Sequence, residues 1–127
     1  GEALLKPHAC YWPAIREAMK GDRVQLDGIA HITGGGLYDN VPRILPDNVD
    51  VIFRSDVMPV LPIFKLMCEM GKVEKSEAYR VFNMGVGMTV IVSREDAPAA
   101  LNVLRENGED AYVIGVIARG SEKITIE

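Results

Sequence analysis

The sequence predicts one α/β (α+β) domain, a mixed β-sheet covered by helices, and three observations lead there. Helical apolar spacing alternates with short strand-like runs along the chain. Glycines and prolines stand where the period changes. The length of 127 residues, with 48% hydrophobic and 25% charged side chains, suits a single core.

In chain order, 11–19 reads as a helix with Pro13 in its first turn, where a missing amide costs nothing, and Gly21 as its stop. Residues 28–33 read as a strand with Ile29, His31 and Thr33 on one face and Gly28, Ala30 and Ile32 on the other. Leu37, Val41, Ile44 and Leu45 have helical spacing, and Pro42 requires a helix that begins between Leu37 and Asn40, so that the proline falls in its first turn. Residues 49–53 form a second strand. A helix follows over 59–70, with Val60, Ile63, Phe64 and Met67 as its apolar stripe and Gly71 as its end. A short helix over 76–81 precedes 86–92, a run so apolar that it predicts a strand covered on both faces at the centre of the sheet. Ser93 and Asp96 form a weaker capping box for a helix through Ala97, Ala100, Leu101 and Leu104 that ends near Gly108. The strands 112–118 and 123–126, joined across 119–122, predict a terminal β-hairpin.

Composition excludes several function classes. A net charge of −4, with 14 scattered Lys and Arg, gives no nucleic-acid footprint. The apolar runs fall far short of the roughly 20 residues of a membrane helix. The start, GEALLKPH, lacks a basic stretch followed by an apolar one, so no secretory signal is expected and a cytoplasmic address follows. Cys10 and Cys68 have no CxxC spacing, and free, mostly buried thiols are expected. His8 and Cys10 form an HxC pair without a second pair to close a tetrahedral site, so no metal is expected.

Two glycine-rich segments exceed what composition requires. Thr33-Gly34-Gly35-Gly36 lies between a strand and a helix, where free amides can gather around an anion, with Thr33 adding a hydroxyl and His31 a ring donor. It is neither a Walker loop nor a GxGxxG turn. A tight strand-to-helix turn with a packed His31 explains the same residues equally well. In Asn83-Met84-Gly85-Val86-Gly87-Met88, glycines enter an apolar strand, through a bulge and close packing or through a ligand against the backbone with Asn83 beside it; packing is the preferred reading.

HITGGGLYDNVPRILP (31–46) and YRVFNMGVGMTVIV (79–92) closely resemble signatures of the aminoimidazole ribonucleotide synthetases. The likeness extends to GEALLKP at the start and AYVIGVIARG (111–120) near the end, and thus over nearly the whole chain. It implies a mixed sheet like the C-terminal domain of that superfamily. Residues 1–127 would form a substrate-cleft domain, without the N-terminal ATP-binding domain and without the SxGxHSNG segment that opens the family's C-terminal domain. The implied enzyme is an ATP-dependent cyclo-ligase that makes aminoimidazole ribonucleotide from formylglycinamidine ribonucleotide through a phosphorylated imidate. ATP and magnesium would be held mainly outside this chain, whose partners would be the N-terminal region, a nucleotide substrate and a second copy in a homodimer. Carried over residue by residue, His31, Thr33, Gly34, Gly35 and Gly36 line the cleft, Asn83, Gly85 and Gly87 match the FNxGxGM segment, and Asn40 and Arg43 match the helix between; no catalytic acid or base is assigned. Arg43 reads equally as a solvated charge and Asn40 as a helix cap.

Rival readings are a related superfamily member and a non-catalytic module that binds a phosphorylated ligand. Formylglycinamidine ribonucleotide synthetase, selenophosphate synthetase and thiamine monophosphate kinase diverge in the glycine segments. A hydrogenase maturation protein with a functional C-terminal cysteine fits least, because this chain ends Ile-Thr-Ile-Glu. With the ATP-binding region missing, the chain alone is expected to be inactive.

Overall fold

A computed structural model of the protein describes residues 1–121 and 123–127. It has the expected α/β character, with two small sheets in place of one. The short helix α1 (Glu2–Leu5), which the sequence pattern does not reveal, leaves Leu4 and Leu5 exposed. Helix α2 (Trp12–Met19) has Pro13 in its first turn, buries Ala14, Ile15 and Ala18, and ends in a 3-10 turn whose Gly21 takes a φ of +60°. Strand β1 (Leu26–His31) shows the predicted alternation at its end, with Ala30 buried and Ile29 and His31 exposed. It starts two residues early and stops at His31.

The next two elements correct the sequence reading. Helix α3 (Gly36–Asn40) starts before Leu37 and ends before Pro42, which opens a separate 3-10 turn, Pro42–Ile44. The proline ring cannot continue the helical hydrogen bonds, so the apolar spacing across 37–45 is divided between two turns. Strand β2 (Val49–Phe53) falls where predicted. Helix α4 (Pro62–Gly71) begins three residues later than predicted, with Pro62 in its first turn. Lys72, not Gly71, takes the left-handed closing conformation, with φ 51°. Phe64 and the half-buried Cys68 pack on the core, whereas Leu66 and Met70 are exposed, as is Cys10, contrary to the expectation of buried thiols. Helix α5 (Lys75–Val81) buries Ala78 and Tyr79.

Strand β3 (Met88–Val92) is not the centre of a sheet. It pairs with β1 alone, antiparallel, with His31 opposite Met88 and Ala30 opposite Thr89. Its apolarity reflects half-burial on both faces, only Thr89 being buried. Helix α6 (Ala97–Glu106) packs on α2 through a face containing Ala100 and Val103. Ser93 Oγ accepts the Asp96 amide at 3.1 Å, one half of the expected box, while the Asp96 carboxylate accepts the Gln25 amide at 3.4 Å in place of completing it.

The predicted terminal hairpin is overturned. Strands β4 (Gly115–Arg119) and β5 (Ile124–Ile126) flank β2, which pairs antiparallel with β4 and parallel with β5. Glu122, assigned to the hairpin loop, lies outside the described residues. The cause is visible at Asp50, whose Oδ1 accepts the amides of Ser121 at 2.7 Å and Lys123 at 2.8 Å. These bonds tie Ser121 and Lys123 to β2 and pull the Asp50 carboxyl below the usual range, Lys123 contributing most, then Ser121. Gly120 lies so close to Asp50 that a Cβ would overlap the carboxylate.

The core runs from Ile32 and Leu37, both fully buried, through Val51, Phe53 and Met58 to Tyr79, Met84 and Val86. It anchors both glycine segments from beneath.

Candidate functional site

The two glycine segments meet. Beyond β1, Ile32 is fully buried and its amide donates to Gly87 O at 3.0 Å, so 33–36 leaves the sheet beside 83–87. The β1–β3 register sets this, because His31 faces Met88.

Asn40 is the staple of the first segment. At 4% exposure its side-chain amide donates to Gly36 O at 2.8 Å, Gly34 O at 3.2 Å and Thr33 O at 3.4 Å, and its Oδ1 accepts the Thr33 hydroxyl at 3.2 Å. This turn-closing role differs from both the helix cap and the cleft contact that the sequence suggests. Its donors are already used within the chain.

The three glycines have three different reasons. Gly36 is buried at φ +58°, against the carbonyls of Tyr79 and Phe82 at the end of α5, with no room for a Cβ. Gly35 takes φ +93°, and a Cβ there would meet the Asp39 side chain. Gly34 is exposed and its built Cβ has no atom within 4 Å, so neither packing nor a left-handed backbone calls for glycine. The Gly36 amide is taken by Thr33 O at 3.1 Å, whereas those of Gly34 and Gly35 donate to no acceptor among the described residues. Because α3 has only five residues, the anion-attracting element is these two amides and the neighbouring His31, with little help from a helix dipole.

The second segment is a packed turn, as the sequence favoured. Asn83 Oδ1 accepts the Gly85 amide at 3.0 Å and Asn83 O the Val86 amide at 2.9 Å. Met84 at φ 53° and Gly85 at φ 100° complete it, and a Cβ on Gly85 would lie 2.6 Å from Pro59 O. Gly87 gives way to the Tyr11 ring, whose hydroxyl occupies the space of a Cβ. Burial, and then the Glu109 charge, raise the Tyr11 pKa. Arg43 is exposed on its 3-10 turn and makes no ion pair among the described residues.

The structure also adds His8 to this place. Its ring stands edge-on to His31 with centroids 4.7 Å apart, and to Tyr11 at 5.7 Å. The sequence pairs His8 with Cys10 and gives no sign of His31, which lies 23 residues farther on (31 − 8). Among the described residues no group of three or more His, Cys, Asp or Glu side chains is placed to hold a metal ion. No described helix is long and apolar enough to cross a membrane. The Gly34 and Gly35 amides and the exposed His31 and His8 rings are donors of the kind that suit phosphate oxygens, while the Thr33 hydroxyl hydrogen is already given to Asn40.

The family model described as "AIR synthase related protein, C-terminal domain" matches residues 1–127. A phosphoribosylformylglycinamidine cyclo-ligase of Alkaliphilus oremlandii (strain OhILAs) is 42% identical over 126 residues, covering 99% of this chain and 36% of the relative. One of Bacillus cytotoxicus (strain DSM 22905 / CIP 110041 / 391-98 / NVH 391-98) is 44% identical over 121 residues, covering 95% and 34%. One of Bacillus mycoides (strain KBAB4) is 43% identical over 127 residues, covering 100% and 36%. The chain thus spans about a third of the length of these curated relatives. It belongs to the family of AIR synthase related proteins, as their C-terminal domain.

Proposed function

We propose that the chain is the substrate-cleft part of an ATP-dependent cyclo-ligase of purine biosynthesis, which converts formylglycinamidine ribonucleotide to aminoimidazole ribonucleotide. The formyl oxygen is activated by phosphorylation, and the neighbouring nitrogen displaces the phosphate to close the ring. The observation that carries the reading is Gly34, an exposed glycine without an intramolecular reason, beside His31 and two unused amides. A close-lying phosphate supplies the reason, and family membership supplies the substrate class.

In this reading Gly34, Gly35 and His31 hold phosphoryl oxygens, while Thr33, Asn40, Gly36, Asn83, Gly85 and Gly87 shape the two turns. Positioning and charge stabilisation are most of what phosphoryl transfer asks of a protein. The donors here suit an anion, and no carboxylate cluster among the described residues suits magnesium. ATP and magnesium therefore belong to an N-terminal region in this proposal, and no step is assigned to them here. A cytoplasmic address and a homodimer complete it.

Calorimetric titration of the chain with formylglycinamidine ribonucleotide and with an unrelated phosphate ester tests the assignment. Tighter binding of the substrate nucleotide is expected. Equal, weak binding of both favours a non-catalytic phosphate module and overturns the assignment.

A further inference from the structure

We propose that Leu4, Leu5, Trp12 and Met19 form a docking surface for the region that precedes this domain in the full-length protein. Membership of the family is enough for this, and the activity assigned above is not needed.

Residues 1–10 are all exposed, and among the described residues no hydrogen bond or ion pair joins them to the rest of the chain. Helix α1 has four residues, buries none of them and lacks a side-chain cap. A helix so short does not hold itself in water, because forming the first turn is unfavourable without packing. Its two leucines nevertheless stand in solvent, Leu4 at 68% and Leu5 at 82% exposure. Trp12 and Met19 lie seven residues apart on α2 (19 − 12), about two turns along one side of it. They are 61% and 55% exposed, outside the face that buries Ala14, Ile15 and Ala18. The exposed charges of Glu2, Lys6, Arg16 and Lys20 flank these groups in sequence. Apolar side chains that include the chain's one tryptophan, set among charges, have the make-up of a protein interface.

The occupant follows from the length of chain outside the match. The Alkaliphilus oremlandii relative is covered over 36% of its length, and the matched family model is a C-terminal domain, so the remainder lies ahead of the stretch aligned with this chain. Residues 1–19 are the part of the domain next to that remainder in sequence. They are also fixed in place. The His8 ring stands edge-on to His31 at 4.7 Å, and the Tyr11 ring sits against Gly87. Leu5 is three residues before His8, and Trp12 directly follows Tyr11. A region docked on these side chains thus comes to lie beside the two glycine turns.

Hydroxyl-radical labelling read by mass spectrometry tests this on residues 1–127 alone and on a chimera in which they replace the aligned part of the Alkaliphilus oremlandii relative. Trp12 should be oxidised about fivefold more slowly in the chimera, the change from a largely exposed ring to one in an interface core. Met70, 77% exposed on α4, is the comparison and should change far less. Equal rates for Trp12 in the two proteins, or an equal slowing of Trp12 and Met70, overturn the surface. So does protection of Trp12 in the chain alone that grows with its concentration, which assigns the surface to a second copy. A variant of the chain alone keeps the test independent of whether the chimera folds. Leu5→Ser should leave its urea midpoint unchanged, and a lowered midpoint shows that the leucine packs within the chain and overturns the docking role. Ring closure is read in neither arm, so the assigned activity stands or falls separately.

Discussion

Replacing Asn40 by alanine removes the side chain that closes the glycine turn, and the cost follows from its partners. Its amide group serves three carbonyls at 2.8, 3.2 and 3.4 Å, and its oxygen accepts the Thr33 hydroxyl at 3.2 Å. The contact at 3.4 Å is weak, which leaves three bonds of ordinary length, each contributing about 0.5–1.5 kcal/mol. Gly36 O is the buried acceptor, and it retains the helix as a partner, so its additional cost stays near the low end of the 1–3 kcal/mol range for an orphaned group. Asn40→Ala should therefore destabilise the chain by about 2.5–5.5 kcal/mol. Asn40→Asp should cost at least as much, because a carboxylate then faces carbonyl oxygens without a hydrogen to donate. Urea unfolding followed by circular dichroism measures both. A loss under about 0.5 kcal/mol in Asn40→Ala would refute the staple and return Asn40 to the list of ligand contacts.

The glycines separate packing from binding: Gly36→Ala, which drives a Cβ into the Tyr79 carbonyl at a positive φ, should cost roughly 3 kcal/mol or more. Gly34→Ala should change urea stability by under about 0.5 kcal/mol yet weaken phosphate binding, and equal phosphate affinity in this variant would show that no ligand approaches there. Asp50, its carboxyl pKa lowered in the folded chain, contributes stability that is present above the unfolded value of about 3.9 and lost as pH falls through the folded one. The difference in urea midpoint between wild type and Asp50→Asn should thus shrink as pH falls below about 4, and a constant difference would argue against the bonds to Ser121 and Lys123. Association is expected as well, since β3 has one partner strand and β4 exposes Val116 at 58% and Ile117 at 41%. Sedimentation should show a two-fold dimer or larger species at micromolar concentration, and a protease-resistant compact monomer would contradict it.

Local patterns were legible where the cause is local. The apolar spacing of α2 and α6, the proline of α2 and the position of β2 depend on residues within a few places of one another. Strand partnership was not, because it is decided by distant groups: the Asp50 carboxylate accepts the Ser121 and Lys123 amides, and nothing in the run from Tyr112 to Ile126 announces it. The apolarity of 86–92 suggests a central strand, yet the same residues suit a strand half-covered on each face. At the site, resemblance named the residues and the structure sorted them. Asn40 and Gly36 turn inward to hold the turn, Gly85 and Gly87 yield to Pro59 and Tyr11, Arg43 stays in solvent, and Gly34 and His31 face outward. His8 escaped notice because a ring contact between the segment before α2 and the end of β1 has no sequence period.

The central claim, that this chain supplies the cleft of a cyclo-ligase, is tested most directly by exchange. The C-terminal part of the Alkaliphilus oremlandii cyclo-ligase that aligns with this chain, 36% of its length, is replaced by residues 1–127. ATP-dependent ring closure of formylglycinamidine ribonucleotide is then measured in the chimera, beside the intact relative and this chain alone. The account predicts closure by the chimera, loss of closure in its Gly34→Val variant and none by the chain alone. A folded chimera that binds ATP but leaves the ring open, or ring closure by residues 1–127 without any added region, would contradict it.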